Sequence, residues 1–252
     1  EVYNLAAQSF VPTSWNQPAF TGDVTALGVT RMLEAVHAIK PDARFYQASS
    51  SEMFGNIEKE KLPIIESRYF NPSSPYGVSK ASAHWLTVNY RESFNVHACC
   101  GILFNHESCL REDNFVIKKI INTALKINSK EIGTLTLGDL SIIRDWGYAP
   151  KYVEAMWLML QMDMPDDYII CSGNNDSLEN IVLKVFDKLE LDLNKHLRTN
   201  HEFIRPTELN AIYGDNNKAK KILKWNYNIS TDSLIEILIN DELEFIEWKK
   251  SF

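Results

Sequence analysis

No glycine-rich phosphate turn occurs anywhere in this chain: ten glycines are scattered over 252 residues and none fall into a GxxGxxG spacing. That absence leaves no strand–turn–helix cradle for a pyrophosphate within these residues. Positive charge is also in short supply. Lys and Arg number 26 against 33 Asp and Glu, for a net charge of -7 and a pI near 5.4. A general nucleic-acid binder is therefore excluded, although a few local cations suffice to hold a single nucleotide. The four cysteines are Cys99, Cys100, Cys109 and Cys171, with no CxxC pair and no quartet at metal-ligand spacing. No metal site is expected, and buried thiols in a reducing cytoplasm are. No stretch of 18 apolar residues occurs, so a soluble protein without membrane contact is expected.

What is present is a core: 45% of residues are hydrophobic and 11% aromatic. Buried-strand runs alternate with segments of helical period. Strands are expected at Val2–Ala7, Arg44–Ser49, His97–Phe104 and Asp167–Cys171. Helices are expected from Asp23 to Ile39 (apolar set Val24, Leu27, Met32, Leu33 and Val36), from Pro75 to Phe94 and from Pro150 to Gln161. A loop holding Pro12, Asn16 and Pro18 separates the first strand from the first helix. From Ser177 onward helices dominate, with LENIVLKVFDKL and STDSLIEILINDELEFIEW the clearest. Alternating strands and helices imply right-handed parallel crossovers and an α/β sheet covered on both faces. EVYNLAA at the very start reads as a strand already under way. The expected fold is the C-terminal part of a doubly wound Rossmann-type parallel sheet with a smaller, mostly helical substrate domain. Residues 1–103 and 140–175 are expected in the partial dinucleotide-binding domain, and 104–139 and 176–252 in the other.

Chemistry concentrates in Ser50-Ser51-Glu52 and Tyr76-Gly77-Val78-Ser79-Lys80. Four residues apart, Tyr76 and Lys80 share one helix face. The ammonium is expected to lower the phenol's pKa, making Tyr76 a base toward a sugar hydroxyl as hydride leaves for a nicotinamide. Ser50 is placed to hydrogen-bond that hydroxyl. Glu52 follows a strand's C-terminal end, where sites open in parallel sheets. Arg144, in RDWG, offers a guanidinium fork suited to a diphosphate, and equally admits an ion pair with Asp145.

YNLAAQS, FYQASSSEMFG, SPYGVSKASAHW, GILFNHES, RDWGYAPKYVEAMWLMLQ and RPTE occur in that order over nearly the whole length. Together they resemble the GDP-mannose 4,6-dehydratases, a family of the extended short-chain dehydrogenase/reductases. The resemblance implies oxidation of GDP-mannose at C4, elimination of water across C5 and C6, and hydride return to C6. It implies NADP as cofactor and Ser50, Glu52, Tyr76 and Lys80 as catalytic residues, with Glu52 removing the C5 proton. Leu5, Ala6, Ala7, Gln8, Ser9, Lys80, His106 and Arg111 then match cofactor contacts; Asn105, Arg205 and Glu208 match nucleotide-sugar contacts, beside Arg144. A related GDP-hexose or GDP-heptose would meet the same groups. The resemblance further implies a homodimer or homotetramer at full length, and a stretch preceding Glu1 that carries the first three strands, the glycine turn and the residues choosing NADP over NAD. The sequence departs from the family pattern at Phe10, Phe20, Cys109, Leu110, Glu112, Tyr148 and Lys151. Two other readings remain: a non-catalytic remnant that binds nucleotide-sugar or a sister subunit, and a GDP-4-keto-6-deoxyhexose reductase or epimerase.

Overall fold

Residues 1–203 and 207–251 are described by a computed structural model. In chain order, β1 (Val2–Asn4), α1 (Val11–Asn16), α2 (Pro18–Gly22), a π-helical turn (Asp23–Leu27) and α3 (Gly28–Ile39) lead into β2 (Phe45–Ser50). A 3-10 turn (Ser51–Phe54) and a long loop precede α4 (Pro75–Phe94), β3 (Ala98–Leu103), β4 (Asn105–Glu107), α5 (Val116–Asn128) and β5 (Leu135–Leu137). Then come β6 (Ile143–Tyr148), α6 (Ala149–Gln161), β7 (Asp167–Ile170), β8 (Asn175–Ser177), α7 (Leu178–Lys188), α8 (Leu193–His196), β9 (Leu197–Thr199), β10 (Ala211–Ile212) and α9 (Thr231–Lys250).

The main sheet runs β1-β2-β3-β7, and every pairing in it is parallel. All six residues of β2 and all six of β3 are buried, as strands covered on both faces must be. One face carries α3 and α4, packed through Val29, Leu33, Phe45, Ala83 and Ala98. The other carries α6, packed through Tyr46, Tyr152, Met156, Met159 and Tyr168. A second sheet runs β10-β6-β4, with β8 antiparallel on β6. Thus Ile143–Tyr148 joins β4 and β10, whereas α6 and β7, which follow it in the chain, belong to the main sheet.

Helices α5, α7 and α9 enclose a core of their own around Ile120, Ile121, Ile181, Val185, Phe186, Leu234 and Leu238. Burying each such side chain contributes about 1.5–3 kcal/mol. Within that layer Lys118 and Glu242 are both buried and form an ion pair, and Lys118 also donates to the Cys109 carbonyl. Cys99, Cys100 and Cys171 are buried and Cys109 is half-buried, all as free thiols. Among the described residues no helix is long and apolar enough to cross a membrane.

Three local expectations fail. The region around Pro12 and Pro18 is helical, because each proline sits in the first turn of a short helix, where its missing N–H has no partner to lose. The buried face that follows is Thr21, Thr25, Val29, Leu33 and Val36, while Leu27 is 51% and Met32 39% exposed. The π-helical turn inserts an extra residue per turn, so the apolar set from 24 to 32 rotates out of phase with a regular helix. Strand β1 is also shorter than expected, ending at Asn4, where the Asn4 side chain donates to Gln47 on β2 at 2.8 Å.

Candidate active site

Helix α4 has well-defined ends. The Ser74 hydroxyl accepts from the Gly77 amide at 3.0 Å, Pro75 follows in the first turn, and Asn95 in the left-handed conformation stops the helix. This places Tyr76 and Lys80 on successive turns facing the end of β2. The Ser50 hydroxyl caps the 3-10 turn by accepting from the Glu52 amide at 3.2 Å, and the same side chain lies beside the Tyr76 phenol and favours its ionised form. The Glu52 charge acts on the same phenol. The turn and the helix approach so closely that a Cβ on Gly77 would lie 2.7 Å from the Glu52 carbonyl oxygen. Ser50, Glu52, Tyr76 and Lys80 therefore converge at one edge of the sheet, as the sequence pattern anticipates.

The electrostatics differ from expectation. Burial pushes the Tyr76 phenol up to about 12; the Ser50 side chain and the Arg111 charge oppose the rise, and the Glu52 charge adds to it. Lys80 is not the cation that lowers it. The residue is 4% exposed, burial brings its ammonium down to about 8, and it donates to the Ala48 carbonyl at 2.8 Å. In the ligand-free chain Tyr76 is thus a neutral phenol at pH 7.

Next to this group lie β4 and the loop that follows it. His106 stacks on Tyr152 at 4.8 Å, and its Nδ1 lies 2.8 Å from the Phe104 carbonyl. A carbonyl only accepts, so Nδ1 carries the proton and Nε2 is a bare acceptor. Burial, helped by the Arg111 and Lys80 charges and opposed by the Phe104 hydrogen bond, lowers this imidazole to about 4. Arg111 donates to the His106 carbonyl, lies 3.8 Å over the Phe115 ring, and stands 3.3 Å from Glu107, whose buried carboxyl is raised to about 7 by desolvation.

The segment after β1 is partly turned inward. Gln8 is tied up: its amide nitrogen donates to the Phe10 carbonyl at 3.0 Å, its side-chain oxygen accepts from Thr21, and its backbone N–H donates to Thr25. Leu5, Ala6 and Ser9 are exposed, and Ala7 is half-buried. On the second sheet, Asn105 of β4 pairs in register with Trp146 of β6, two residues beyond Arg144. Arg144 is buried and ion-pairs with Glu208 at 3.2 Å. Asp145 instead accepts from the Ser172 and Gly173 amides at 2.8 and 2.9 Å. The Arg144–Asp145 pairing that adjacency allows is not the one made. Arg205 lies outside the described residues.

A family model described as GDP-mannose 4,6 dehydratase matches residues 1–238. The chain belongs to the GDP-mannose 4,6-dehydratase family. Similar proteins include GDP-mannose 4,6 dehydratase 1 of Arabidopsis thaliana, 42% identical over 99% of this chain and 70% of its own length. The human GDP-mannose 4,6 dehydratase is 38% identical over 98% of this chain and 71% of its own length. Among solved structures, RMD from Pseudomonas aeruginosa complexed with NADPH superposes with a TM-score of 0.87 at 21% identity, covering 96% of this chain and 80% of that one. DesIV, a dTDP-glucose 4,6-dehydratase from Streptomyces venezuelae with NAD and TYD bound, gives 0.87 at 20% identity over 98% of this chain and 74% of that one. At those identities the likeness is one of fold.

Several departures from the family pattern have structural partners. Phe10 packs edge-on against Phe115 at 5.5 Å, joining the segment after β1 to the Arg111 loop. The Tyr148 hydroxyl donates to Asp241 of α9 at 2.9 Å, and Lys151 pairs with Glu154 on the surface. Leu110 is 75% exposed, and nothing in the structure explains it. The sequence reading missed His84, which continues the 76–80 stripe one turn further and is 3% exposed. The i, i+4, i+8 spacing of Tyr76, Lys80 and His84 was the available signal.

Proposed function

We propose that this chain is a GDP-mannose 4,6-dehydratase that uses NADP and converts GDP-mannose to GDP-4-keto-6-deoxymannose. The observation that carries the reading is the convergence of Ser50, Glu52, Tyr76 and Lys80 on one sheet edge. The donor set suits the nicotinamide-ribose half of a dinucleotide: Lys80 spends one donor on Ala48 and keeps two, and His106 presents a bare Nε2. Bound there, the cofactor supplies a hydride acceptor with a positively charged ring. Tyr76 would remove the C4 hydroxyl proton as the C4 hydride is lost, with Ser50 holding the oxygen. The 4-ketone acidifies C5–H, and Glu52 would take that proton and pass it to the C6 hydroxyl as the C6–O bond breaks, so that water leaves. Return of the hydride to C6, with the proton first taken from the C4 hydroxyl passing to C5, would complete the cycle, and the sum is loss of one water with no net redox change. Leu5, Ala6, Ala7, Gln8, Ser9 and Arg111 complete the cofactor side in this reading. Asn105, Arg144, Arg205 and Glu208 hold the nucleotide-sugar, the Arg144–Glu208 pair opening so that the guanidinium meets the diphosphate. The layer of α5, α7 and α9, with its separate core, supports 104–139 and 176–252 as the sugar-nucleotide domain. The exposed Val78 and Trp85 on the outer face of α4 support a homodimer or homotetramer.

Incubation with GDP-mannose and NADP without reductant should give a 4-keto-6-deoxy product. Glu52→Gln should build up reduced nicotinamide in proportion to enzyme sites while forming no deoxy product. Normal turnover by Glu52→Gln would remove that residue from the mechanism. Turnover of a GDP-heptose in preference to GDP-mannose would reassign the substrate.

A further inference from the structure

Behind the site, a polar chain that is buried at Ser49 and His84 and half-buried at Arg91 and Asp167 joins four elements. Arg91 of α4 grips Asp167 at the start of β7 with both nitrogens, at 2.8 and 2.9 Å. The same carboxylate accepts from the Cys100 amide on β3 at 3.2 Å and faces His84 Nε2 at 3.7 Å. The other ring nitrogen, His84 Nδ1, lies 3.0 Å from the Ser49 hydroxyl on β2. Burial keeps the His84 ring neutral, and Nδ1 and the Ser49 hydroxyl share one hydrogen bond. Ser49 and His84 are each 3% exposed, so water does not substitute for either partner. The cluster of His84, Cys100 and Asp167 has the donor types of a metal site. The Arg91 guanidinium already neutralises the carboxylate there, and a cation would be repelled.

The arrangement has a regularity that bears on the reaction. Three successive residues at the end of β2 are each fastened to one of three successive turns of α4. Ser50 lies beside Tyr76 and acts on its phenol, the Ala48 carbonyl accepts from Lys80, and Ser49 bonds His84. The first two links belong to the groups that act on the sugar. The third does not touch the site, and it alone is anchored to the rest of the sheet through Asp167. We infer that His84 is a positioning residue: held by Asp167 and Arg91, it fixes Ser49 and thereby sets the separation between Ser50 and Tyr76. Ring packing supports a fixed orientation, since Phe70 meets the His84 ring edge-on at 4.9 Å and Trp85 does so at 5.6 Å. This inference rests on the proposed dehydratase reading for its kinetic consequence, but not for its geometry.

The test compares His84→Leu, His84→Asn and Ser49→Ala in the full chain with NADP and GDP-mannose. Asn places an amide atom near the position of Nδ1 and keeps a partner for Ser49. For His84→Leu, kcat should fall by roughly 10- to 100-fold, the range that a displacement of about 1 Å produces, while KM for GDP-mannose stays within about twofold. His84→Asn should recover most of that loss, and Ser49→Ala, which removes only a hydroxyl, should reproduce part of it in a stably folded chain. Amide hydrogen exchange gives an arm independent of turnover: the Glu52 amide, bonded to Ser50, should lose protection in His84→Leu and regain it in His84→Asn. Unchanged protection at Glu52, or a kcat loss that tracks thermal stability and is not rescued by Asn, would overturn the inference. Absence of turnover in the unsubstituted protein would count against the dehydratase reading alone, and the exchange arm would still decide the role of His84.

Discussion

Lys80 and Tyr76 sit a turn apart and are shifted in ways that destabilise the charged form of each. Lys80 gives up its proton near pH 8 when folded and near 10.5 when unfolded, so between those values the unfolded chain holds more protons and stability rises with pH. Below pH 8 both states are charged and the full penalty of burying the ammonium stands. At about 1.36 kcal/mol per unit, that penalty is roughly 3 kcal/mol. Tyr76 works in the opposite sense: it stays protonated up to about 12 when folded and only to 10 when unfolded, so stability falls as pH rises between them. Lys80→Met should therefore be at least as stable as the unsubstituted chain at pH 7, after the lost bond to Ala48 takes back about 1 kcal/mol. It should lack the rise between pH 8 and 10.5, and it should have no dehydratase activity. Urea unfolding at pH 7, 8 and 10 checks this. A variant clearly less stable at pH 7 would mean the ammonium is better paired than its single carbonyl bond implies. The pairing of Tyr76 with Lys80 was legible in the sequence because four residues make a helical turn. The sign of the phenol's shift was not, since it depends on how deeply α4 packs against the sheet.

The contact that aligns α4 with the Glu52 turn is backbone to backbone, and Gly77 is what permits it. A methyl group there would lie 2.7 Å from the Glu52 carbonyl oxygen, closer than van der Waals contact allows. Gly77→Ala should push the 3-10 turn and its carboxylate away from Tyr76. Ala raises intrinsic helix propensity by up to about 1 kcal/mol, so the expected result is a modest change in melting temperature with a loss of turnover out of proportion to it. Full activity in Gly77→Ala would show that the turn can shift without harm. Elsewhere, the extent of α4 was legible to the residue from Ser74-Pro75 and the Asn95 stop. The π-helical turn at Asp23–Leu27 was not, because one additional residue per turn leaves the composition unchanged while rotating the apolar stripe. Strands β4 and β6 also escaped the sequence reading. β4 is short, and both carry polar residues such as Asn105, His106, Arg144 and Asp145 in place of a continuous apolar run.

Across the whole molecule, two cores divide the work the site requires. The parallel sheet with α3, α4 and α6 fixes the candidate catalytic residues at its edge, and the α5–α7–α9 layer carries the second group of candidates on the adjoining sheet. The parallel order was legible from strands apolar on both faces, whereas the Arg144–Glu208 pairing joins residues 64 positions apart and needed the fold to be seen. In the proposed reaction one site both oxidises C4 and reduces C6 of the same sugar, with Glu52 opening the path between them. The most direct measurement is the fate of the label when GDP-mannose carrying deuterium at C4 is turned over with unlabelled NADP and the product is examined by NMR and mass spectrometry. Deuterium at C6 of a 4-keto-6-deoxy product, with no net consumption of cofactor, is the predicted result. A product without label at C6, or one whose formation consumes reduced cofactor stoichiometrically, would contradict it.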